Sequence, residues 1–283
     1  NISYFLEHNV LLRRFTLSVG VLANYNSALN EGIHFYPGID ASYRIGDNVR
    51  LYGSWNRALR MPTFTDLYYE GKTNKGNPDL KPEESEAFEV GLKYNTYFLR
   101  AHIAGFYRKG KNMIDWVKEK PEDIWESQNL TKVDNLGFET NLSLLPRELG
   151  NERFFIRKIE LGYAFIHQDK DSEGYISNYA LDYLKHKFTA QLSHSIWKGF
   201  SATWYVRWQD RAGSYTKYEN LKPAYEEPYA PYCLVDMKVN WEYQRLNLYA
   251  ELNNLLNSTY YDLGNIPQPG IWFKAGFRYS FKY

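Results

Sequence analysis

Apolar and polar side chains alternate along most of this chain, and this period of two restricts the possible fold more than any other feature of the sequence. In the last segment the even positions are mostly polar or charged, and the odd positions are apolar or aromatic: Ile271, Phe273, Ala275, Phe277, Tyr279, Phe281 and Tyr283. Successive residues of a β-strand point to opposite faces of the sheet, whereas a helix would mix these two sets. No segment shows a convincing period of 3.6, so the sequence predicts an all-β fold.

The alternating segments predict about thirteen antiparallel strands. They lie near residues 2–10, 14–26, 33–44, 48–58, 86–95, 97–109, 131–145, 154–168, 180–196, 200–212, 229–243, 245–254 and 271–283. Several exceed ten residues, whereas strands of soluble sheets average about 5–6 residues and transmembrane β-strands need about 9–11. Strand length therefore favours a membrane barrel, although a large soluble β-domain that buries the same apolar face is an alternative.

The connections between the predicted strands alternate between short and long. The short ones fall near 46–48, 95–96, 197–199 and 244, and the long ones are 59–85, 110–130, 169–179, 213–228 and 255–270. All long connections therefore lie at one end of the sheet, which is typical of outer-membrane barrels with tight periplasmic turns and long extracellular loops. In such a barrel the apolar face meets lipid and the polar face, with residues such as Glu139, Asn141 and Arg207, lines the lumen.

Composition excludes several classes of protein. The chain has 34 Lys+Arg and 33 Asp+Glu, so its formal net charge of +1 lacks the basic excess of a nucleic-acid-binding protein. Cys233 is the only cysteine, which excludes an intrachain disulfide and a thiolate metal cluster. Aromatic residues make up 18% of the chain, as expected for a barrel with aromatic girdles at both membrane interfaces.

An odd number of predicted strands is awkward for a closed barrel. Bacterial single-chain barrels close with an even count, and lipid cannot satisfy the unpaired backbone groups of an open edge. The chain is therefore expected to be an incomplete barrel, whose wall is closed by upstream sequence or by another chain.

Three motifs along the chain carry a family resemblance. The connection after the fourth predicted strand contains Arg60, Pro62, Asn77, Pro78, Leu80, Pro82 and Glu83 in the order R-x-P-T-F-x-D-L, then G-N-P-x-L-x-P-E. Residues 89–94 then read E-V-G-L-K-Y, and residues 252–261 read L-N-N-L-L-N-S-T-Y-Y. This pattern resembles TonB-dependent outer-membrane receptors, and residues 60–83 resemble their hallmark loop. The aromatic end of the chain, with Phe277, Tyr279, Phe281 and Tyr283, is similar to the signal read by the barrel-assembly machinery.

The resemblance implies the fold and the class of function. Residues 1–283 correspond to the C-terminal part of a 22-stranded transmembrane β-barrel, as a single domain incomplete on its N-terminal side and without the plug domain. The implied function is active import energised through TonB, which would contact missing N-terminal sequence, and no enzymatic activity. The long loops are expected to be extracellular and the C-terminus periplasmic. The expected partners are outer-membrane lipid and a surface lipoprotein. Nucleic acid is not an expected partner.

The sequence before the last strand suggests a branch of the family. Residues 260–270, which end in Pro267-Gln268-Pro269-Gly270, resemble the ending of the cobalamin and iron-chelate branch as it occurs in Bacteroidetes, with Ile271 where arginine is common. The expected cargo is a scarce metal chelate. Cobalamin is the first expectation, and a ferric siderophore or haem is the alternative. A passive porin or a structural outer-membrane barrel is the alternative from another class.

Aromatic residues of the long loops are the candidate binding residues, because rigid rings contact a large, partly apolar cargo at low entropic cost. They are Tyr68, Tyr69, Trp116, Trp125, Tyr215 and Tyr218. The alternative is that these rings pack loop against loop or lie in the interfacial belt.

Other reactive side chains give weaker patterns. Glu83, Glu84 and Glu86 could hold a cation, although a structural role fits them better, and a loop histidine such as His34 or His167 could capture haem. Asp182, His186 and Ser193 or Ser195 have only a generic hydrolase spacing, and no nucleophile-elbow or zinc-protease motif is present. The sequence therefore predicts no catalytic residue, no metal site and no cofactor.

Overall fold

The computed structural model describes residues 1–27, 32–120, 122–150, 153–171, 174–177, 183–219, 222–264 and 266–281. Most of these residues belong to strands. The strands in chain order are β1 (Ile2–Leu11), β2 (Phe15–Tyr25), β3 (Ile33–Arg44), β4 (Val49–Arg60), β5 (Asn74–Lys75), β6 (Glu83–Asn95), β7 (Leu99–Lys118), β8 (Trp125–Leu144), β9 (Ile156–Asp171), β10 (Ile176–Ser177), β11 (Leu184–Trp197), β12 (Phe200–Arg211), β13 (Ser214–Glu219), β14 (Lys222–Pro228), β15 (Tyr232–Tyr243), β16 (Leu246–Asn253), β17 (Tyr261–Leu263), β18 (Ile266–Pro267) and β19 (Trp272–Tyr279). The helical elements in the described ranges are α1 (Phe64–Tyr68) and the 3₁₀ turn η1 (Pro146–Leu149). No helix in this part of the chain is long and apolar enough to span a membrane.

The long strands follow one another in a single hydrogen-bonded order, β1-β2-β3-β4-β6-β7-β8-β9-β11-β12-β15-β16-β19, with β10 added to β7 and β5 added to β8. Strands β13 and β14 form a separate hairpin, as do β17 and β18. The thirteen strands of the main order match the thirteen predicted from alternation. Their connections alternate between short and long, except that the one between β7 and β8 (119–124) is shorter than the one between β8 and β9 (145–155), which reverses the predicted order at this point.

Two boundaries differ from the predictions. The connection predicted over 110–130 is mostly strand, because β7 continues to Lys118 and β8 begins at Trp125. At 3.4 Å per residue each of these 20-residue strands reaches about 68 Å, well beyond a hydrocarbon core of about 30 Å. The last strand ends at Tyr279, and residues 282–283 lie outside the described part of the chain, as do residues 178–182 at the predicted start of β11.

The chain divides into two compact units, and the first contains Asn1–Lys93, Ile103–Phe138 and Ile166–Asp182. One face of its sheet is polar. There the Tyr52 ring lies over Gly91, where an added Cβ would stand 2.6 Å from Tyr52 Cε1. Tyr52 Oη donates a 2.8 Å hydrogen bond to Glu89 Oε1, and Lys93 Nζ lies 4.6 Å from the ring centroid. The other face carries exposed apolar side chains such as Phe88, as the alternation predicts.

The second unit contains Tyr94–His102, Glu139–Phe165 and Tyr183–Tyr283. Its polar face repeats the same arrangement: the Tyr249 ring lies over Gly276, and Lys238 Nζ lies 4.6 Å from the ring centroid. Glu251 accepts contacts from Lys238 Nζ at 2.8 Å and Lys274 Nζ at 2.6 Å. These ladders of polar side chains are carried by β15, β16 and β19 in register.

Candidate functional site

An ion pair joins the two ends of the hallmark loop in the first unit. β4 ends at Arg60 and β6 begins at Glu83, and the guanidinium binds the carboxylate through Nε–Oε2 at 2.6 Å and Nη2–Oε1 at 2.5 Å. Glu83 Oε1 also accepts a 2.7 Å hydrogen bond from the backbone N–H of Ile114 on β7. This paired geometry is the strong form of a charge-assisted contact, so Glu83 fixes both the loop ends and the neighbouring strand.

Helix α1 is short but well capped. The Thr63 hydroxyl accepts the backbone N–H of Asp66 at 3.1 Å, and the Asp66 carboxylate accepts the backbone N–H of Thr63 at 2.9 Å, which forms a capping box. The carbonyl of Asp66 accepts hydrogen bonds from the fully buried Ser127 hydroxyl at 2.6 Å and from Asn77 N–H at 2.8 Å. The helix is therefore fastened to β8 and to the second half of the loop.

Asn129 on β8 holds the backbone of the hallmark loop. Its Oδ1 accepts Lys81 N–H at 2.9 Å, and its Nδ2 donates to the carbonyls of Lys81 at 2.9 Å and Asn112 at 2.7 Å. The sequence did not single out Asn129, because residues 110–130 were predicted to be a long connection, in which a polar residue looks solvated. An asparagine side chain can both donate to and accept from a backbone amide, and this chemistry was the only sign in the sequence that Asn129 could hold a loop.

The remaining motif residues of the hallmark loop shape its backbone. Asn77 Oδ1 accepts the N–H of Asp79 at 2.9 Å, and the Leu80 side chain is buried. At Gly76 an added Cβ would lie 2.8 Å from the backbone of Leu67, so the two halves of the loop touch there. Pro62, Pro78 and Pro82 restrict the backbone at the remaining positions.

The four candidate aromatic residues of the first unit differ in exposure. Tyr68 is 63% exposed and Tyr69 is 50% exposed, whereas Trp116 is buried with its ring edge-on to Tyr69 at a centroid distance of 6.4 Å. Trp125 is half-buried beneath Lys118 Nζ, which lies 4.5 Å from the ring centroid. Tyr68 and Tyr69 are therefore open to solvent, and Trp116 packs beneath Tyr69.

A buried carboxylate lies next to this aromatic support. Asp115 is 1% exposed, accepts the backbone N–H of Trp116 at 2.7 Å and hydrogen-bonds the hydroxyl of Ser177 on β10. Since β10 pairs with the end of β7, Asp115 stabilises the added strand. Its role was not predicted, because an aspartate at a hairpin looks solvated in the sequence.

The second unit has its own aromatic cluster above the sheet. Tyr215 on β13 is buried, stacks on Tyr261 at a centroid distance of 5.1 Å and contacts Tyr229 at 5.2 Å. Burial raises the pKa of the Tyr215 phenol. Tyr218 lies on the same strand and is 54% exposed, so of these two candidate tyrosines it is the one open to solvent.

Charged groups accompany this cluster. Lys217 Nζ lies 2.6 Å from a Glu227 carboxylate oxygen across the β13–β14 hairpin. The hydrogen bond from Lys217 lowers the pKa of Glu227, and the same contact raises the pKa of Lys217. The Arg211 guanidinium lies 5.4 Å from the centroid of Tyr229. The hairpin therefore combines aromatic faces with fixed charges of both signs.

The motif at residues 252–261 folds the following loop. Asn254 is 3% exposed, donates from Nδ2 to the carbonyls of Ser258 at 2.9 Å and Pro269 at 3.2 Å, and accepts Ser258 N–H at 2.9 Å. Asn257 Oδ1 accepts the N–H of Ile271 at 3.0 Å. Both asparagines have positive φ, a conformation that asparagine tolerates better than most residues.

The polar face of the second unit also encloses a basic cavity of about 710 Å³. Its charged lining residues are Arg157, Lys158, Lys238, Glu242, Glu251, Lys274 and Arg278. Five cations against two carboxylates give the lining a formal charge of +3, and Glu160 outside the lining pairs with Lys158 at 2.8 Å, so the cavity is basic.

Comparison with known families assigns the chain. The family described as TonB dependent receptor-like, beta-barrel matches residues 1–255. The chain belongs to the TonB-dependent receptor β-barrel family. The strand order and the anchored hallmark loop are therefore those of an antiparallel transmembrane barrel wall, of which this chain is a part.

Curated relatives of this TonB-dependent receptor barrel include a transporter and a receptor. The chain is 28% identical over 134 residues to the vitamin B12 transporter BtuB of Vibrio vulnificus, and the match covers 42% of this chain and 21% of that protein. It is 22% identical over 297 residues to the ferrienterobactin receptor of Escherichia coli, covering 95% of this chain and 38% of that protein. The chain thus spans well under half the length of these relatives.

Solved structures agree with this fold. The ferric enterobactin receptor of Pseudomonas aeruginosa, in a complex with enterobactin, superposes with a TM-score of 0.75 at 20% sequence identity. The match covers 99% of this chain and 45% of that receptor.

The weaker candidates of the sequence analysis do not converge in the TonB-dependent receptor barrel. Glu83, Glu84 and Glu86 contact three different partners, respectively Arg60, Arg57 and Trp55. Asp182 lies outside the described residues, and His186, Ser193 and Ser195 contact Tyr163, Thr203 and two arginines. Within the described ranges no three His, Cys, Asp or Glu side chains form a metal-binding group.

The proposed assembly signal lies at the last strand. Phe277, Tyr279 and Phe281 are exposed, whereas Tyr283 lies outside the described part of the chain. Recognition by the assembly machinery stays a prediction.

Proposed function

We propose that this chain forms part of the wall and the ligand-capturing loops of an outer-membrane receptor that imports a scarce metal chelate with energy supplied through TonB. Membership of the TonB-dependent receptor barrel family is the observation that carries the proposal. Cobalamin is the first proposed cargo, because the relative with 28% identity transports vitamin B12 and the ending of the chain resembles that branch. The loops would be extracellular and the C-terminus periplasmic.

The anchored hallmark loop supports ligand capture in the first unit. Two tyrosines stand exposed on a loop whose ends are joined by Arg60 and Glu83 and whose centre is fastened by Ser127 and Asn129. Rings that are already held in place lose little entropy when a ligand binds. Tyr68 and Tyr69 are therefore the proposed contacts of the first unit, and Tyr218 is the proposed contact of the second.

A ferric siderophore is the second candidate, and the placement of cations favours it. Lys118 lies over Trp125, and Lys217 and Arg211 accompany the aromatic cluster of the second unit. Cations in these loops would attract a chelate with a net negative charge, such as a ferric catecholate. The relative that aligns over 95% of this chain is a ferrienterobactin receptor.

Calorimetry on the intact receptor in detergent tests the cargo, with cyanocobalamin, a ferric catecholate siderophore and haem as separate ligands. We expect cobalamin to bind, and the double substitution Tyr68→Ala and Tyr69→Ala to weaken binding about 30-fold to 1,000-fold, since each of the two aromatic contacts contributes roughly 1–2 kcal/mol. Tyr97→Ala is the matched control, because this 69% exposed tyrosine lies in the short connection between β6 and β7. Binding of the siderophore alone would reject cobalamin as the cargo and leave the proposed receptor function standing.

Uptake into cells separates the receptor from a passive porin. Import that stops when the proton-motive force is discharged supports transport energised through TonB. Import that continues at an unchanged rate, and that rises linearly with ligand concentration, would reject it.

A further inference from the structure

The basic cavity of the second unit lies at the end of the sheet where the connections are short. Its lining residues Ser201 and Glu242 lie next to the turns at 198–199 and 244–245, and Arg278 is the last but one residue of β19. Tyr232 begins β15 at the opposite end, and Lys238 in the cavity lies six residues further along this strand, a rise of about 20 Å. The cavity is therefore separate from the loops that carry the proposed cargo contacts.

The three lysines of the cavity already have carboxylate partners. Lys238 and Lys274 both contact Glu251, at 2.8 and 2.6 Å. Lys158 contacts Glu160 at 2.8 Å. These lysine charges are balanced within the wall, so the arginines carry the excess positive charge.

Two arginines converge on one serine hydroxyl. Arg147 Nη2 and Arg157 Nε donate to Ser195 Oγ at 2.7 and 2.8 Å, so these two nitrogens are at most 5.5 Å apart. Among the residues that the structure describes, no carboxylate lies within ion-pair distance of these two guanidinium groups or of that of Arg278. A neutral hydroxyl does not balance two positive charges, whereas an oxyanion would bind both guanidinium groups through charge-assisted hydrogen bonds.

Neighbouring carboxylates do not cancel the charge of this surface. Asp236 interacts electrostatically with Lys274 and is therefore counted with the cavity. The cations on or beside the cavity are Arg147, Arg157, Lys158, Lys238, Lys274 and Arg278, and the carboxylates are Glu160, Asp236, Glu242 and Glu251. The formal charge is thus +2. In the sequence, the adjoining short connections add Arg153, Lys198 and Arg245 against Glu148 and Glu152, so the rim is also positive.

The unpaired arginines are too widely spaced for one small anion. Arg157 lies on β9 and Arg278 lies on β19, five strand intervals apart in the order β9-β11-β12-β15-β16-β19. At about 4.8 Å per interval the two positions are about 24 Å apart along the sheet. A single phosphate or carboxylate cannot contact both, whereas about seven extended residues of polypeptide span this distance and can place a carboxylate at each end.

We propose that this surface, made of the cavity together with Arg147, Arg157 and Arg278, binds an acidic polypeptide segment of the intact receptor that lies outside residues 1–283. The polar face of a barrel wall lines the lumen, and large outer-membrane transporter barrels have a plugged lumen. The match covers 45% of the ferric enterobactin receptor, so that relative has ample further sequence from which such a segment could come. The new element is the sign and the place of the contact: the segment is acidic where it meets these arginines. The proposal rests on family membership and is independent of the cargo.

Zero-length cross-linking identifies the partner of each arginine. The variants Arg157→Lys and Arg278→Lys keep the positive charge but supply an amine, which a water-soluble carbodiimide couples to a carboxylate in contact with it. Peptide mass spectrometry of the intact receptor in detergent then identifies the coupled residue. We expect both new lysines to be coupled to Asp or Glu side chains outside residues 1–283. Arg245→Lys is the matched control, because Arg245 is exposed in a turn at the same end of the sheet and does not line the cavity.

Hydrogen exchange measures how much the contact contributes. Replacing Arg147, Arg157 and Arg278 together by glutamine should speed exchange in the cross-linked segment about tenfold, as expected for the loss of three ion pairs between partly exposed groups. Protection of β15 and β16 should stay the same, and Arg245→Gln should change neither region. Added salt should speed exchange of the segment in the native receptor and have little further effect in the triple variant.

Several outcomes would overturn the proposal. They are coupling of Arg157→Lys and Arg278→Lys only within residues 1–283, no coupling at all, and equal coupling of Arg245→Lys to the same segment. Saturable binding of inorganic phosphate that the triple variant loses, with exchange elsewhere unchanged, would assign the arginines to a free anion instead. The lysine variants keep the charge of the wall, so the test does not depend on assembly of the glutamine variant. No measurement uses the cargo, so a negative result leaves the proposed import function standing.

Discussion

Replacing Glu83 by alanine should open the hallmark loop without unfolding the sheet. Glu83 is 8% exposed, and the substitution leaves the Ile114 N–H without its 2.7 Å acceptor, at a cost of about 1–3 kcal/mol. Loss of the ion pair with Arg60 costs less free energy than loss of a fully buried pair, because the arginine side chain is 49% exposed and is hydrated again once the carboxylate is gone. The sum is about 2–4 kcal/mol of local stability.

Hydrogen exchange read by mass spectrometry measures this loss in the intact receptor. We expect protection of the hallmark loop and of residues around Ile114 to fall by a factor of about 30 to 1,000, which is 2–4 kcal/mol expressed as an equilibrium constant. The neighbouring Glu84→Ala is the matched control, because its 3.5 Å contact with Arg57 is between two exposed side chains and contributes about 0–1 kcal/mol. Equal losses for the two variants, or unchanged protection in Glu83→Ala, would refute the anchoring role.

Three further predictions concern other parts of the chain. Phe277→Arg should destabilise the inserted barrel by about 2–4 kcal/mol, because Phe277 lies on the apolar face. Arg278→Ala, on the cavity side, should be tolerated. Urea unfolding in lipid vesicles compares the two variants, and an equal loss of unfolding free energy would contradict the assigned faces. The pKa of Glu227 is lowered by Lys217, so the pair stabilises the β13–β14 hairpin above the ordinary glutamate pKa and loses that contribution as the pH falls through the lowered value. Exchange in the hairpin should rise in acid, and Glu227→Gln should abolish this pH dependence; a variant with the native pH profile would exclude the pair as its cause. Asn129→Ala should expose the Lys81 amide to exchange while leaving the Ile114 amide protected, and loss of protection at both would mean that the whole loop depends on Asn129.

The fold was predictable because alternation is a property of the strand itself. Every side chain of β19 points to one face or the other according to its position, and the same rule located all thirteen strands of the main order. The extension of β7 and β8 was not predictable in this way. Their outer ends pair with β10 and β5, which come from distant parts of the chain, and alternation carries no information about such partners.

The candidate site was predictable in its motifs but not in its contacts. Arg60 and Glu83 were singled out by the motif resemblance, yet their pairing depends on where β4 ends and β6 begins. Trp116 was predicted as a ligand contact and is buried, because an aromatic residue in a long loop has the same sequence pattern whether it faces solvent or supports a neighbour. Gly53 and Gly91 are alike in sequence, and only the position of Tyr52 shows that one is covered and the other open.

The tyrosines that cover glycines also protect strand alignment. Tyr52 lies in the gap over Gly91 and Tyr249 lies in the gap over Gly276, each on a neighbouring strand. A slip of one residue would turn the glycine to the other face and set each ring against a strand position that carries a Cβ. A long sheet of similar alternating strands has many almost equivalent registers, and these two ring-and-gap pairs penalise the wrong ones. The penalty applies wherever two of these strands pair, because the ring and a Cβ in the gap cannot occupy the same space.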